Sequence, residues 1–470
     1  MDYQKLKFKC GIEVHQQLEG KKLFCNCPTT NLRNTPADIS FKRRLRAVVG
    51  ETGEIDKAAA FEASKGKYFI YEADSRDVCL IDMDESPPNL INKEMVNVAL
   101  EIALLLNAKI VDEVQVMRKT VVDGSNVSGF QRTALIAYGG VLPTSKGLVK
   151  IPVICLEEEA CQKLEDTKDY IKYRLDRLGI PLIEIATAAD IKDPEHAKEV
   201  AEKLGMILRS TGKVKRGIGT IRQDVNVSIK GKNRIEIKGF QDVKSMAKII
   251  EKEIERQLKI SKKEEPHVRK VEPDGSTSYL RPMPGAARMY PETDVMPLKV
   301  DVSRIKLSEL IEEKTKRLEK LGLGKDLANL ISKSDKIDMF EAFVKKFRNI
   351  KPAFIAETLV PTLKEINRKY GIDTDSLTEK EFEEVFEALD KGKIPKNVVI
   401  NVLMDYAQDK FESMDKYIGA SEEDIKKEIE KIIKQKPGLS IGAYMGIVMG
   451  KYKGKVDGKK VMEMLKELIK

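Results

Sequence analysis

Residues 221–238 read IRQDVNVSIKGKNRIEIK. Val225, Val227 and Ile229 alternate with polar residues, and a short KGK link around Gly231 leads into a second alternating run, RIEIK. A period of two predicts strands over 221–229 and 233–238, joined as a hairpin, each with one apolar face. Asp224 and Asn226 share the polar face of the first strand; Glu236 and Lys238 share that of the second. Further strands are expected at 9–18 (KCGIEVHQQL), 68–72, 149–156 and 181–187. Between them, 94–107 and 242–259 have helical spacing, as does 194–211, which follows Asp193 as N-cap with Pro194 at the first helical position. Beyond about residue 300 the pattern is helical throughout: 306–322, 325–333, 338–348, 353–369, 378–389, 395–412 and 421–435. The expected fold is therefore α+β: a mixed domain over 1–300, an all-α domain over 301–412 and a small helical tail over 413–470. Linkers are expected at 259–280 and 412–421.

The bulk composition narrows the class. Hydrophobic residues make up 41% and charged residues 34% of the 470, which fits a multidomain globular protein. No run approaches the roughly 18 apolar residues of a transmembrane helix. The N-terminus lacks the apolar core of a signal peptide, so a cytoplasmic protein with no membrane partner is expected. Lys and Arg outnumber Asp and Glu by 84 to 75, a mild excess compatible with a polyanionic partner. Of the six cysteines only Cys25 and Cys27 are closely spaced. Cys79 is a candidate third sulfur for zinc, but without a second Cys pair buried thiols are the expectation.

Several strands carry ionisable residues among apolar neighbours. Glu13 and His15 share one face of 9–18, Glu184 lies inside PLIEIAT, and Glu157, Glu158 and Glu159 follow Leu156. A lone buried carboxylate costs several kcal/mol, so such residues are paired, bind metal or face a cleft. Five strands with the same feature point to one acidic cleft. Oxygen donors with a single imidazole suit Mg²⁺ or Mn²⁺, whose usual task beside phosphate is to neutralise it during phosphoryl transfer. Two irregular segments carry cations for phosphate: RKTVVDGSNVSGFQRT (118–133), a polar loop with Arg118, Lys119, Ser125 and Arg132, and LRPMPGAARMYPETD (280–294), with Arg281 and Arg288. Neither is a Walker A sequence.

These same segments, with GIEVHQQLEGKKLFCNCP and PLIEIATAADIKDPEHA, resemble the GatB/GatE family of tRNA-dependent amidotransferases, and their spelling lies nearer its archaeal GatE branch than its bacterial GatB branch. The tail, SIGAYMGIVMGKYKGKVDGKKVMEMLKE, is similar to that of YqeY-like proteins. The resemblance implies a glutamine-synthetase-like cradle that binds ATP and Mg²⁺, phosphorylates the glutamyl group of Glu-tRNA(Gln) and amidates it. The ammonia would come from an asparaginase-like partner, GatD. Carried over by motif, His15, Glu158 and Glu184 become metal ligands, with Glu13 beside them. Glu13, Asp224, Glu236 and Lys238 become cradle residues of the reaction. Arg222, Arg281 and Arg288 become phosphate clamps, and Arg118 and Ser125 join them in nucleotide binding. Lys451, Lys453, Lys455, Lys459 and Lys460 become tRNA contacts, against the plainer reading of a solvated lysine-rich face. The GatE branch usually inserts a domain resembling part of aspartyl-tRNA synthetase before LRPMPGAARMYPETD; the short 259–280 segment leaves no room for one. The alternatives are a GatB-type protein that also acts on Asp-tRNA, or a catalytically silent tRNA-binding adaptor.

Overall fold

Ile221–Ser228 and Ile235–Phe240 form the expected antiparallel pair, the second starting two residues later than its pattern suggested. Around it, the computed structural model describes all residues except 31–34, 51–52, 241, 286–287, 418–421, 452–457 and 469–470. The pair belongs to a sheet of eleven strands among the described residues. Lys9–Gln17 lies at its centre, between Ile221–Ser228 and Pro181–Ala186. Gly147–Glu158, Phe130–Thr144 and Val116–Thr120 continue the sheet on the Pro181–Ala186 side. Neighbouring strands are antiparallel except where Ile235–Phe240 meets His267–Val271. Parallel neighbours need a long crossover, and the helix Val243–Lys259 supplies it.

One face of the sheet is covered by helices. Cys10, Ile12 and Val14 are fully buried there with Ala99, Ile102 and Ala103 of the helix Lys93–Leu105 and Val200, Leu204 and Leu208 of the helix Pro194–Ser210. Because side chains alternate along a strand, this burial commits Glu13 and His15 to the opposite face. Asp193 caps its helix as expected, accepting a hydrogen bond from the His196 amide at 2.9 Å.

The 259–280 segment is not a linker. His267–Val271 and Thr277–Pro282 form a hairpin at the sheet edge, turning at Gly275 with φ +78°. The reason is a buried anchor: Glu253 accepts a 2.7 Å hydrogen bond from the Thr277 hydroxyl, and Arg269 donates to that same hydroxyl. The 118–133 segment likewise is loop only between the strands that end at Thr120 and begin at Phe130.

The described chain divides into two units, Met1–Leu310 and Ile311–Lys470. In the first, strand character extends close to residue 300 because Leu298–Lys299 pairs with Glu113–Val114, and the Ser308 amide and hydroxyl both bond to buried Glu101. The second unit is helical. Phe340, Phe343, Phe382 and Phe386 centre one of its apolar clusters, and Ile429, Tyr444, Val448 and Leu465 centre another. The helix expected over 353–369 has π-type turns at Thr358–Thr362 and Ile366–Tyr370; Pro361, inside the first, cannot donate the usual backbone bond. No described helix is long and apolar enough to cross a membrane.

Candidate active site

The uncovered face of the sheet floors a cavity of about 1250 Å³. Register brings the ionisable residues together there. Glu13 lies opposite Asp224, and His15 lies between Glu184 on one side and Arg222 on the other. One ligand atom each from Glu13, His15 and Glu184 lie within 4.8 Å of one another. His15 Nε2 is 3.8 Å from a Glu184 oxygen and 3.9 Å from a Glu157 oxygen, too long for hydrogen bonds. Two ligands each about 2.1 Å from a Mg²⁺ lie within about 4.2 Å of each other, so this spacing suits a shared hard cation. Asn226 donates to Glu13 at 3.0 Å, while its own buried carbonyl oxygen has no partner among the described residues. Burial, helped by Glu236 and Asp224, pushes the Glu13 carboxyl up, and burial holds the His15 imidazole down. A neutral imidazole is the form that ligates metal.

The three consecutive glutamates have three different fates. Glu157 points into the cleft, 1% exposed, accepting from Lys119 at 2.5 Å and from the Thr133 hydroxyl at 2.9 Å. Burial opposes the Lys119 charge, but Glu157 and Glu184 outweigh it and raise its pKa. Glu158 does not join His15 and Glu184. It shares the core side with Ile154 and Leu156 and accepts from the Arg132 amide at 3.1 Å and its guanidinium at 3.4 Å. Glu159 anchors Arg222, accepting both 2.8 and 2.9 Å bonds from its Nη2, and takes a third from Gln17. Of Glu157 and Glu158, it is Glu157 and not the expected ligand Glu158 that faces the cleft. The parity of Ile154 and Leu156 could have revealed this from sequence.

Lys238 bridges Asp224 and Glu236, 2.6 Å from the latter, and both carboxylates raise its pKa although burial opposes them. Arg281 and Arg288 reach the cleft from the edge hairpin and the segment after it. Arg118 does not; it is committed on the far side of its strand to Glu292 at 2.6 Å and Asp294 at 3.1 Å. Ser125 lines an adjoining smaller cavity and donates to Asp123. In the second unit, Lys451 pairs with Glu428. Lys453 and Lys455 lie outside the described residues, as do the side chains of Lys459 and Lys460. Apart from the cleft, Cys25, Cys27, Cys79 and Asp82 bring one donor atom each within 4.8 Å of the others. Three sulfurs and a carboxylate suit zinc, where buried thiols alone were expected.

Two family models match the chain: the GatB/GatE catalytic domain over residues 8–306 and the GatB domain over 338–469. The chain belongs to the GatB/GatE family. Among its GatB/GatE relatives, the GatE-type chain of the glutamyl-tRNA(Gln) amidotransferase from Methanocaldococcus jannaschii is 38% identical, with 93% of each chain covered. Proteins of the same name from Methanococcus maripaludis and Archaeoglobus fulgidus are each 37% identical, covering 92% and 93% of each chain. The alignment to the first spans 586 positions, more than the 470 residues here, so this GatB/GatE chain lacks internal sequence that its relative carries.

Proposed function

We propose that this chain converts Glu-tRNA(Gln) into Gln-tRNA(Gln) with cleavage of ATP, on a cradle of the glutamine-synthetase type. The reading is carried by one observation: Glu13, His15, Glu157 and Glu184 converge beside paired cations on the open face of a sheet that matches the GatB/GatE catalytic domain. A carboxylate resists attack by ammonia until one oxygen becomes a good leaving group. The glutamyl γ-carboxylate oxygen attacks the terminal phosphorus of ATP, and ADP departs. Ammonia nitrogen then bonds to the acyl carbon, the C–O bond to phosphate breaks, and a proton leaves the nitrogen.

Glu13, His15, Glu157 and Glu184 would hold Mg²⁺, which supplies charge neutralisation to the phosphate oxygens. Glu159 keeps the Arg222 guanidinium extended toward the cleft, and Asp224 and Glu236 fix the Lys238 ammonium, so these cations are preorganised for developing negative charge. Asp224 lines the same floor, as an acceptor for the proton that the amine loses. Ammonia would be delivered by an asparaginase-like partner, GatD, in the cytoplasm. Since ammonia itself is the nucleophile, a high ammonium concentration should let the chain alone form Gln-tRNA(Gln). A folded, ATP-binding preparation that makes none would show that the partner completes the active site, or that the reaction is another. Amidation of Asp-tRNA(Asn) under the same conditions would favour the GatB-type reading.

The tail, 413–470, is proposed to contact tRNA phosphates with Lys451, Lys453, Lys455, Lys459 and Lys460. Each phosphate neutralised releases counterions, so affinity should fall steeply with salt. Removing 413–470 should raise KM for Glu-tRNA and flatten its salt dependence while ATP affinity stays level. An unchanged salt slope would leave these lysines as a solvated surface.

A further inference from the structure

At the mouth of the main cleft stands a short loop that the reaction above does not use. Gly217, Ile218 and Gly219 line the cavity where the chain enters the strand Ile221–Ser228. Ile218 is 107% exposed, as open to solvent as in an extended chain. A lone exposed isoleucine needs no explanation on an ordinary surface, but this one is held out by its surroundings. Gly217 and Gly219 have φ of +113° and +82°, and a Cβ at either would meet nothing within 4 Å. The glycines therefore serve the backbone turn that lifts Ile218, not close packing. The base of the loop is fixed. Gln16, 3% exposed, donates from its side-chain amide to the Lys215 and Thr220 carbonyls at 3.0 and 3.1 Å, and backbone bonds join Lys215 and Thr220 to Gln17. The cations beside the loop are unpaired. Arg216 is exposed and does not line the cavity; burial and then the Arg216 charge lower the pKa of Arg209. Among the described residues no carboxylate oxygen lies within 4.0 Å of either guanidinium. On the cleft floor, Lys119, Arg222 and Lys238 each have one within 3 Å.

We propose that this loop positions the terminal nucleoside of the aminoacylated tRNA, with the base against Ile218 and the phosphates that lead away from it on Arg216 and Arg209. This assignment rests on the Glu-tRNA reading above. Distance along the chain supports it. Ile218 precedes Arg222 by four residues, at most about 14 Å of chain, and Arg222 is the register partner of His15. A glutamyl group spans roughly 6 Å from its γ-carboxyl to the ribose oxygen. A γ-carboxylate at the metal cluster therefore leaves the ribose and base level with the loop. ATP also carries a base, but its charge runs the other way. From the base of ATP the phosphates run inward to the metal, whereas from the terminal nucleoside of tRNA they run outward. Unpaired arginines outside the cavity match the outward course. Contact with a base face needs apolar area and no matched hydrogen bonds, which an isoleucine tip supplies.

The test is steady-state ATP cleavage by the full chain with Glu-tRNA(Gln) and Mg²⁺, read as KM for each substrate and kcat, with a thermal melt on the same preparations. Ile218→Ser should raise KM for Glu-tRNA about tenfold, the scale of one base stacked on a side chain. Its KM for ATP should stay within about twofold of wild type, and its kcat at saturation within about threefold. Ile218→Trp offers a larger flat face and should lower KM for Glu-tRNA at least about twofold. Arg216→Gln should weaken Glu-tRNA binding and reduce its salt slope by about one. Because Ile218 and Arg216 face solvent, all three variants should melt with wild type. Wild-type KM for Glu-tRNA in both Ile218 variants would overturn the assignment. So would a rise in KM for ATP alone, which gives the loop to the nucleotide base, or a lowered melting temperature with KM unchanged, which marks a structural loop. Failure of the amidotransferase reading looks different: Glu-tRNA(Gln) then stimulates no ATP cleavage by wild type. Fluorescence anisotropy of labelled Glu-tRNA(Gln) with wild type and Ile218→Ser still reports on the loop in that case, and equal affinities there would also overturn the assignment.

Discussion

Glu184→Gln should reduce Glu-tRNA-dependent ATP cleavage by about a thousandfold, the scale on which one preorganised electrostatic contact to a transition state acts. The substitution keeps the shape and removes the negative charge 3.8 Å from His15 Nε2. Folding should survive, because Lys119 keeps its 2.5 Å bond to Glu157 and the strand keeps Ile183 and Ile185 in the core. Glu157→Gln should show both effects: a comparable loss of turnover and a lower melting temperature, since the buried Lys119 ammonium loses its nearest carboxylate. Steady-state ATP cleavage and a thermal melt on the same preparations separate the two. Full turnover in Glu184→Gln with an unchanged melt would remove Glu184 from the proposed metal set.

The second large effect lies on the other side of the sheet. Arg132 is 7% exposed and joins Glu158 to Glu292, which in turn receives Arg118. The Phe130 ring stacks against both guanidinium groups, 5.2 Å from that of Arg132 and 4.6 Å from that of Arg118. Arg132→Met leaves two buried carboxylates without their shared cation, a loss of about 3–5 kcal/mol. The expected result is a strongly lowered melting temperature with ATP affinity per folded molecule unchanged. Loss of ATP binding at wild-type stability would instead return Arg132 to the phosphate-binding loop and Glu158 to the metal set.

Much of the site was legible because a strand has a period of two. Ile12 and Val14 had to be buried, so Glu13 and His15 had to share the other face, and the same argument joined Asp224 to Asn226 and Glu236 to Lys238. Pattern could not supply partners distant in sequence. Glu159 holds Arg222 across 63 residues, and Asp82 meets Cys25 only after the chain has passed through two strands and a helix. The three glutamates after Leu156 looked interchangeable until strand parity was applied to them. The 259–280 segment read as a linker because its charges, KKEEPHVRK, hide a strand whose Arg269 is paired with buried Glu253. Arg118 and Arg132 looked like phosphate ligands because composition registers a cation but not which side of the strand it occupies.

The most direct measurement is ATP cleavage by the purified chain with saturating Glu-tRNA(Gln), with uncharged tRNA(Gln) and with neither, in the absence of ammonia. If the cleft phosphorylates the glutamyl carboxylate, only Glu-tRNA(Gln) should stimulate ADP formation, and the terminal phosphate of ATP should appear on the charged tRNA. ADP formation that is the same in all three, with no label on the tRNA, would contradict the account.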